Sequence, residues 1–298
     1  MNLIVGSTGM AGMEICRLLT NAGKPVTALV RVSSDPAKVD ALKAMGATVV
    51  RGDLRDPQSL KTACQGVSAI VTTASAMPFA YNPADNTPET TDQDAYLGLI
   101  AIARDARVQQ FVYTSFPPLQ AAFPLQDAKR AVEKELRGSG LNYTILQPTY
   151  FTEIWLSPAV GFDHPHRKAT VYGTGENAIS WISFLDVAQF AAASVGNAGA
   201  RNATFELGGP RGISPLSVVR IFEQASRTPF EVTHVPVEAL QQQLSSAPDP
   251  MQKSYAGLMI GYASHGPIDI AGVLNTYSLK LRTVEEYVRR VMSEPAGV

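Results

Sequence analysis

Up to about residue 147, short apolar runs alternate with stretches of helical period. Leu3–Val5, Val26–Val30, Thr48–Val50, Ala69–Val71, Phe111–Thr114 and Tyr143–Leu146 are rich in β-branched and aromatic residues and are predicted to be strands buried on both faces. Behind the first, Met10, Met13, Ile15, Leu18 and Leu19 fall near helical spacing; Gly23 and Pro25 stop the pattern, which predicts a helix from Met10 to Asn21. A further amphipathic helix is predicted from Gln126 to Arg137. Repeated strand–helix units predict an α/β fold with a doubly wound parallel sheet. The rhythm lapses from Ala76 to Thr91, where Pro78, Pro83 and Pro88 stand among small polar residues, and a long loop is expected there, with Tyr81 able to border a ligand.

Beyond Pro148 the alternation becomes irregular, with loops expected across Trp155–Gly175. Ala178–Phe184, a helix over Asp186–Val195 and a strand over Thr204–Leu207 read as core, and that strand can return to the sheet edge. The expected organisation is a dinucleotide-binding Rossmann-like domain over 1–150 and a smaller, interleaved C-terminal portion over 151–298, mainly substrate-binding, with segments around 178–207 returning to the core. A last helix, Val284–Met292, follows Thr283, with Glu285 and Glu286 in its first turn and Arg289 and Arg290 late.

The 298 residues carry 25 basic and 26 acidic side chains, a formal net charge of −1, which argues against nucleic acid or an anionic membrane as partner and favours a small molecule. Cys16 and Cys64 have no metal-ligand or redox spacing and read as core thiols of a reducing compartment. No signal peptide or membrane span is expected, so the cytoplasm is the expected location. Of the four histidines, only His164 and His166 cluster, without a third metal ligand; a surface loop is expected there and no metal.

The sharpest chemical signal lies where the first strand meets the first helix. In LIVGSTGMAGM, Gly6, Gly9 and Gly12 have the spacing of a dinucleotide-binding turn: a tight reversal, close approach to a pyrophosphate, and close helix–strand packing. The second strand leads into Arg31, about twenty residues beyond the third glycine, where NAD-specific proteins place an acid. A guanidinium there suits the 2′-phosphate of NADP, with Ser33 and Ser34 nearby; it equally suits a solvated strand end, and Asp35 leaves NAD possible. Asp53 could accept from an adenine amino group or serve its own loop, while Asp56 before Pro57 reads as a helix cap. The small residues Thr73, Ala74 and Ser75 at the end of the fourth strand permit a cofactor to lie against main chain. Lys129 interrupts the stripe formed by Leu125, Val132 and Leu136, and either reaches a ribose hydroxyl or snorkels along the apolar face. Lys134, Arg130 and Arg137 read as its solvated neighbours.

The segments GSTGMAG, ALVR, GDLRD, VYTS, AKRAVEKELRGSGLNYTILQPTYF, SWISFLDVAQFAAASV and RTVEEYVRRV together resemble the NmrA-like, atypical branch of the short-chain dehydrogenase/reductase superfamily, and within it NAD(P)H-dependent quinone and isoflavone-type reductases. The resemblance implies a reductase using NADP, with NAD possible. It places Gly6, Ser7, Thr8, Gly9, Met10, Ala11 and Gly12 at the pyrophosphate, Arg31 at the 2′-phosphate, Asp53 and Leu54 beside adenine, Lys129 near the nicotinamide ribose, and Pro148, Thr149, Tyr150 and Phe151 along the nicotinamide. The pattern departs at Leu125, where most of the superfamily has a catalytic tyrosine. Without that phenol, an activated acceptor such as a quinone or conjugated carbonyl is expected, because its reduced anion needs less acid help than an alkoxide. Lys129 and Ser115 are the expected catalytic residues, and Phe116, Tyr150, Phe151 and Trp155 the expected border of a hydrophobic acceptor. Tyr113, inside a strand, is expected in the core. A regulator, sensor or assembly factor that binds the dinucleotide without turnover is the alternative.

Overall fold

The computed structural model describes residues 1–77 and 86–293. The chain forms two compact units. The first comprises residues 1–116, 124–147 and 187–205; the second comprises 117–123, 148–186 and 206–298.

In the first unit β1 (Asn2–Val5), α1 (Met10–Asn21), β2 (Val26–Val30), α2 (Pro36–Ala44), β3 (Thr48–Arg51), α3 (Pro57–Ala63) and β4 (Ala69–Thr72) follow in order. A π-helical turn, Pro88–Asp94, leads into α4 (Ala95–Asp105), then β5 (Gln110–Thr114), α5 (Pro124–Gly138) and β6 (Asn142–Pro148). All six expected strands form, and α1 has the expected limits. The strands pair in parallel in the order β3-β2-β1-β4-β5-β6. The winding direction thus reverses between β1 and β4, the switch point at which open α/β sheets bind ligands. Every residue of β1, β2 and β4 is buried, which explains their largely apolar sequences, in which Asn2, Thr27 and Thr72 are the polar members.

Residues 78–85, which include Tyr81, lie outside the described residues. The remainder of the expected loop is not all loop: Pro88–Thr91 begin the π-helical turn. Its start is fixed by Thr87, whose Oγ1 accepts from the Thr90 N–H at 3.1 Å while Thr90 Oγ1 accepts from the Thr87 N–H at 3.0 Å. The same device of a capping side chain before proline starts α2 at Asp35 and α3 at Asp56.

The chain continues through α6 (Thr152–Trp155), β7 (Phe162–Asp163), β8 (Lys168–Tyr172), α7 (Phe184–Ser194) and β9 (Ala203–Leu207). β9 joins the large sheet beside β6, so the expected return to the sheet edge occurs. Trp155–Gly175, expected as loop, contains β7 and β8. Only two residues pair β7 with β8, and the partner of the other edge, β10 (Glu231–Val235), lies about sixty residues further on, too remote for local periodicity to reveal.

After β9 come α8 (Pro215–Ser226), β10, α9 (Val237–Ser246), α10 (Pro250–Ser264), α11 (Ala271–Thr276) and α12 (Val284–Ser293). The core of the second unit is aromatic. Trp181 is buried with its Nε1 donating to the Ile213 carbonyl at 2.8 Å, and Phe162 packs against Phe222 at 4.9 Å. α12 is opened by a reciprocal pair, Glu286 N–H to Thr283 Oγ1 and Thr283 N–H to Glu286 Oε2, at 3.1 and 2.8 Å. Among the described residues, no helix is long and apolar enough to cross a membrane.

Candidate active site

The carboxyl ends of β1, β2 and β4 border a cleft of about 430 Å³ in the first unit. Gly6 and Gly9 line it with main chain, and Gly12 behind them lets the helix approach the turn. Gly6 sits at φ +87°, and a Cβ there would stand 2.8 Å from the Ala74 nitrogen. A Cβ on Gly12 would come within 2.1 Å of the Gly6 carbonyl oxygen, while the Gly9 N–H closes the turn onto that same oxygen at 3.0 Å. Gly9 caps α1 without a side-chain hydrogen bond, so the first-turn N–H groups are left for an anion.

The structure brings Gly6, Thr8, Gly9, Arg31, Asp53, Leu54, Thr73, Ala74 and Ser75 together around this cleft. Ser7 turns inward and donates to the Leu29 carbonyl at 2.7 Å, pinning the turn to β2 rather than facing a ligand. Met10 is 46% exposed, and Ala11 and Gly12 are buried in the first turn of α1.

At the far end of the cleft, the exposed Arg31 is joined by Ser33, Ser34 and Lys38. The Ser34 hydroxyl oxygen is buried with no hydrogen-bond partner among the described residues. Asp35 is engaged as the α2 cap, accepting from the Ala37 N–H at 2.9 Å. Lys38 was not apparent from the strand pattern; its position one turn into a helix that starts at Asp35-Pro36 was the available signal. Asp53 forms an ion pair with Arg55 at 3.0 Å. Burial works to raise its carboxyl, but hydrogen bonds and charge from Arg55, with a contribution from Arg31, outweigh it and hold Asp53 below the usual carboxylate range. Asp56 accepts from the Gln58 N–H at 3.0 Å, the geometry of a helix cap.

Lys129 lies inside the unit, 4% exposed, with its Nζ 3.0 Å from Asp92 Oδ1 and above the rings of Tyr96 and Tyr113 at 5.5 and 5.2 Å. Asp92 and Tyr96 were missed by sequence reasoning, although the apolar positions Tyr96, Leu99, Ile100 and Ala103 are spaced as one helix face. Tyr96 also secures the cleft, donating its hydroxyl to the Ala74 carbonyl at 2.6 Å. Tyr113 is fully buried, as its strand position implied, and Leu125 is buried at the start of α5.

Arg130 departs from the expected solvated face. Its Nη2 donates to Ser115 Oγ at 2.9 Å and to the Phe116 carbonyl at 2.5 Å, and its guanidinium lies over the Phe116 ring at 5.4 Å. The cause is Glu133, a buried carboxylate one helical turn away that pairs with Arg130 and Arg137 and accepts from Gln147 Nε2 at 2.8 Å. Arg137 donates to Glu133 and to Thr204 at 3.2 and 3.1 Å yet stays exposed, as does Lys134, so both keep the expected solvated face.

Pro148, Thr149, Tyr150, Phe151 and Trp155 belong to the second unit. Thr149 donates to the Ser180 carbonyl, and Phe151 bridges to Ile182. Tyr150 packs edge-on against Trp155 and Tyr262 at 4.7 and 5.6 Å, and its buried hydroxyl has no hydrogen-bond partner among the described residues. His166 contacts Asp163 at 2.9 Å on the surface, and no group of three or more metal-ligating side chains occurs among the described residues. Burial pushes the Cys16 thiol up to about 12 and the Cys64 thiol to about 11, which suits core packing.

A switch-point cleft lined by glycine main chain, with an anion-facing helix start, defines a dinucleotide-binding α/β protein. The chain belongs to the NmrA-like family, whose model matches residues 2–288. It is 31% identical over 281 residues to the NAD(P)H azoreductase of Xenophilus azovorans, covering 93% of this chain and 91% of that protein. It is 30% identical over 249 residues to the photosystem II assembly factor Ycf39 of Synechocystis, covering 80% and 72% respectively. Its fold is shared with the Escherichia coli NADPH-dependent quinone oxidoreductase QOR2 solved with NADPH, at a TM-score of 0.77, 24% identity, and coverage of 98% of this chain and 100% of that one.

Proposed function

We propose that this protein is an NADPH-dependent reductase that passes hydride to a hydrophobic conjugated carbonyl or quinone-like acceptor. The observation that carries the reading is the glycine-floored cleft with Arg31 and Lys38 lining one end and no acidic side chain replacing Arg31 after β2. Two cations and the Ser34 hydroxyl suit a 2′-phosphate, and the open α1 turn suits a pyrophosphate. The names of the azoreductase and quinone oxidoreductase relatives agree with such a cofactor.

The dinucleotide, when bound, supplies the hydride. The chain supplies place and protons. Main chain at Gly6 and Gly9 admits the pyrophosphate, the Tyr96-held end of β4 gives the sugar a fixed wall, and the Lys129 ammonium is the charged donor available for a ribose hydroxyl or a product anion. Ser115, whose oxygen accepts from Arg130, keeps its O–H for an acceptor oxygen. Leu125 provides no proton, which favours acceptors whose reduced form is a weakly basic anion. Acceptor recognition by Phe116, Tyr150, Phe151 and Trp155 completes the proposal; substitutions of Phe116 or Trp155, which this reading assigns to the acceptor and not to the nicotinamide, should change acceptor KM and leave NADPH affinity alone.

The test is NADPH oxidation followed by absorbance across quinones, enones, azo compounds and aldehydes, with NADH in parallel. Quinones or enones should react fastest, and activity on aldehydes alone would overturn the acceptor class. The second reading, a nucleotide-binding regulator without turnover, draws on Leu125, on the engagement of Lys129 by Asp92, and on the similarity to an assembly factor. It requires similar affinity for oxidised and reduced cofactor and no acceptor-dependent oxidation.

A further inference from the structure

Lys129 sits where an aliphatic side chain would complete the apolar face of α5, so its burial with a carboxylate calls for an account. A buried ion pair loses much of its Coulomb gain to desolvation and is a poor route to stability alone. The two oxygens of Asp92 do different things: Oδ1 lies 3.0 Å from Lys129 Nζ, and Oδ2 accepts from the Ala76 N–H at 2.8 Å. Ala76 itself lines the nucleotide cleft. Asp92 is 0% exposed and is carried by the π-helical turn, a local widening that often marks a functional position.

We propose that Asp92 is the positioning residue of Lys129, fixing the place of its ammonium and coupling it to the cleft wall at Ala76. The proposal rests on the reductase reading above. The groups facing Lys129 leave this task to Asp92. Tyr96, from α4, donates to Ala74; burial, followed by the Asp92 charge, pushes its phenol up. Tyr113, from β5, is pushed well up by burial first and then by Tyr96 and Asp92. Both phenols therefore stay neutral. On α5 itself, Glu133 is paired with Arg130 at 3.0 Å and Arg137 at 3.2 Å. Among the described residues, the carboxylate in ion-pair contact with Lys129 is that of Asp92.

The test compares the unaltered chain with Asp92→Asn, Asp92→Glu, Lys129→Met and the double variant. Asp92→Asn should lower kcat by about tenfold or more, within the range general acid catalysis commands, with KM for NADPH nearly unchanged. Asp92→Glu, which keeps the carboxylate, should recover part of the lost kcat with KM for NADPH still nearly unchanged. The double variant, which removes both charges, should fold even where Asp92→Asn alone does not and should turn over no more slowly than Lys129→Met. No recovery in Asp92→Glu, or a double variant slower than Lys129→Met, overturns the proposal. If no acceptor oxidises NADPH, the reductase reading falls separately, and carbon-13 NMR of lysine-labelled protein decides the Asp92 question: the Lys129 signal, identified by its loss in Lys129→Met, should move at a fixed neutral pH in Asp92→Asn and return toward the parent position in Asp92→Glu. An unchanged signal position overturns the assignment.

Discussion

Around Gly6 the cleft is shaped by main chain, held open by the absence of Cβ atoms, whereas Lys129 is enclosed by the side chains of Asp92, Tyr96 and Tyr113, closed over a pair of opposite charges. Both regions belong to one unit and share the short stretch after β4, at Ala74 and Ala76. The first is specified locally, by glycine spacing within one turn. The second needs α4, β5, α5 and the π-helical turn together. A recognition surface can therefore be encoded in a dozen consecutive residues, while a charged centre in an apolar interior depends on elements scattered along the chain.

Four substitutions separate the two. The largest effect is expected from Lys129→Ala, which leaves Asp92 buried without its cation: about 3–5 kcal/mol of stability should be lost in denaturant unfolding, and turnover should fall far more than NADPH affinity. A variant melting like the parent would show that the pair contributes nothing to the interior. Next comes Gly12→Ala, whose methyl would meet the Gly6 carbonyl oxygen at 2.1 Å. The turn must open, with loss of nucleotide binding and about 1–3 kcal/mol of stability; calorimetric titration with NADPH checks the first and thermal melting the second. Arg31→Asp leaves the fold intact and should swing preference toward NADH, with NADPH affinity falling roughly 10–100-fold, the worth of hydrogen bonds to a charged phosphate. No change in that ratio would remove Arg31 from the 2′-phosphate. The smallest effect concerns Asp53. Its folded pKa lies below the unfolded one, so its contribution is present at neutral pH and is lost as pH falls through the folded value. Since the pair with Arg55 is partly exposed, Asp53→Asn should cost at most about 1 kcal/mol at neutral pH and nothing in acid, measured by urea midpoints across pH.

The same contrast explains how much could be read from the sequence. β1, β2 and β4 are buried on both faces and announce themselves as short, mostly apolar runs, and the limits of α1 follow from glycine and proline at its end. Asp56 could be read as a cap because capping is settled by its own helix. Arg130 was misjudged for the opposite reason: its helix position is compatible with solvent, and only Glu133 and the end of β5 turn it inward. Asp92 gave no sign of its role, since a polar residue between Thr91 and Gln93 looks like loop until Lys129 is set beside it. β8 stayed hidden because its parallel partner β10 is distant in the chain.

The first unit takes in residues 187–205, which are synthesised only after 148–186 of the second. Its large sheet thus waits for β9, and neither unit can be finished during synthesis before the other has begun. A nascent chain arrested near residue 186 would expose the unprotected edge of β6, a template for pairing with other chains. Splitting this protein into two separately expressed pieces at any single peptide bond should accordingly give aggregation-prone halves, and a dissection that respects the fold needs more than one cut.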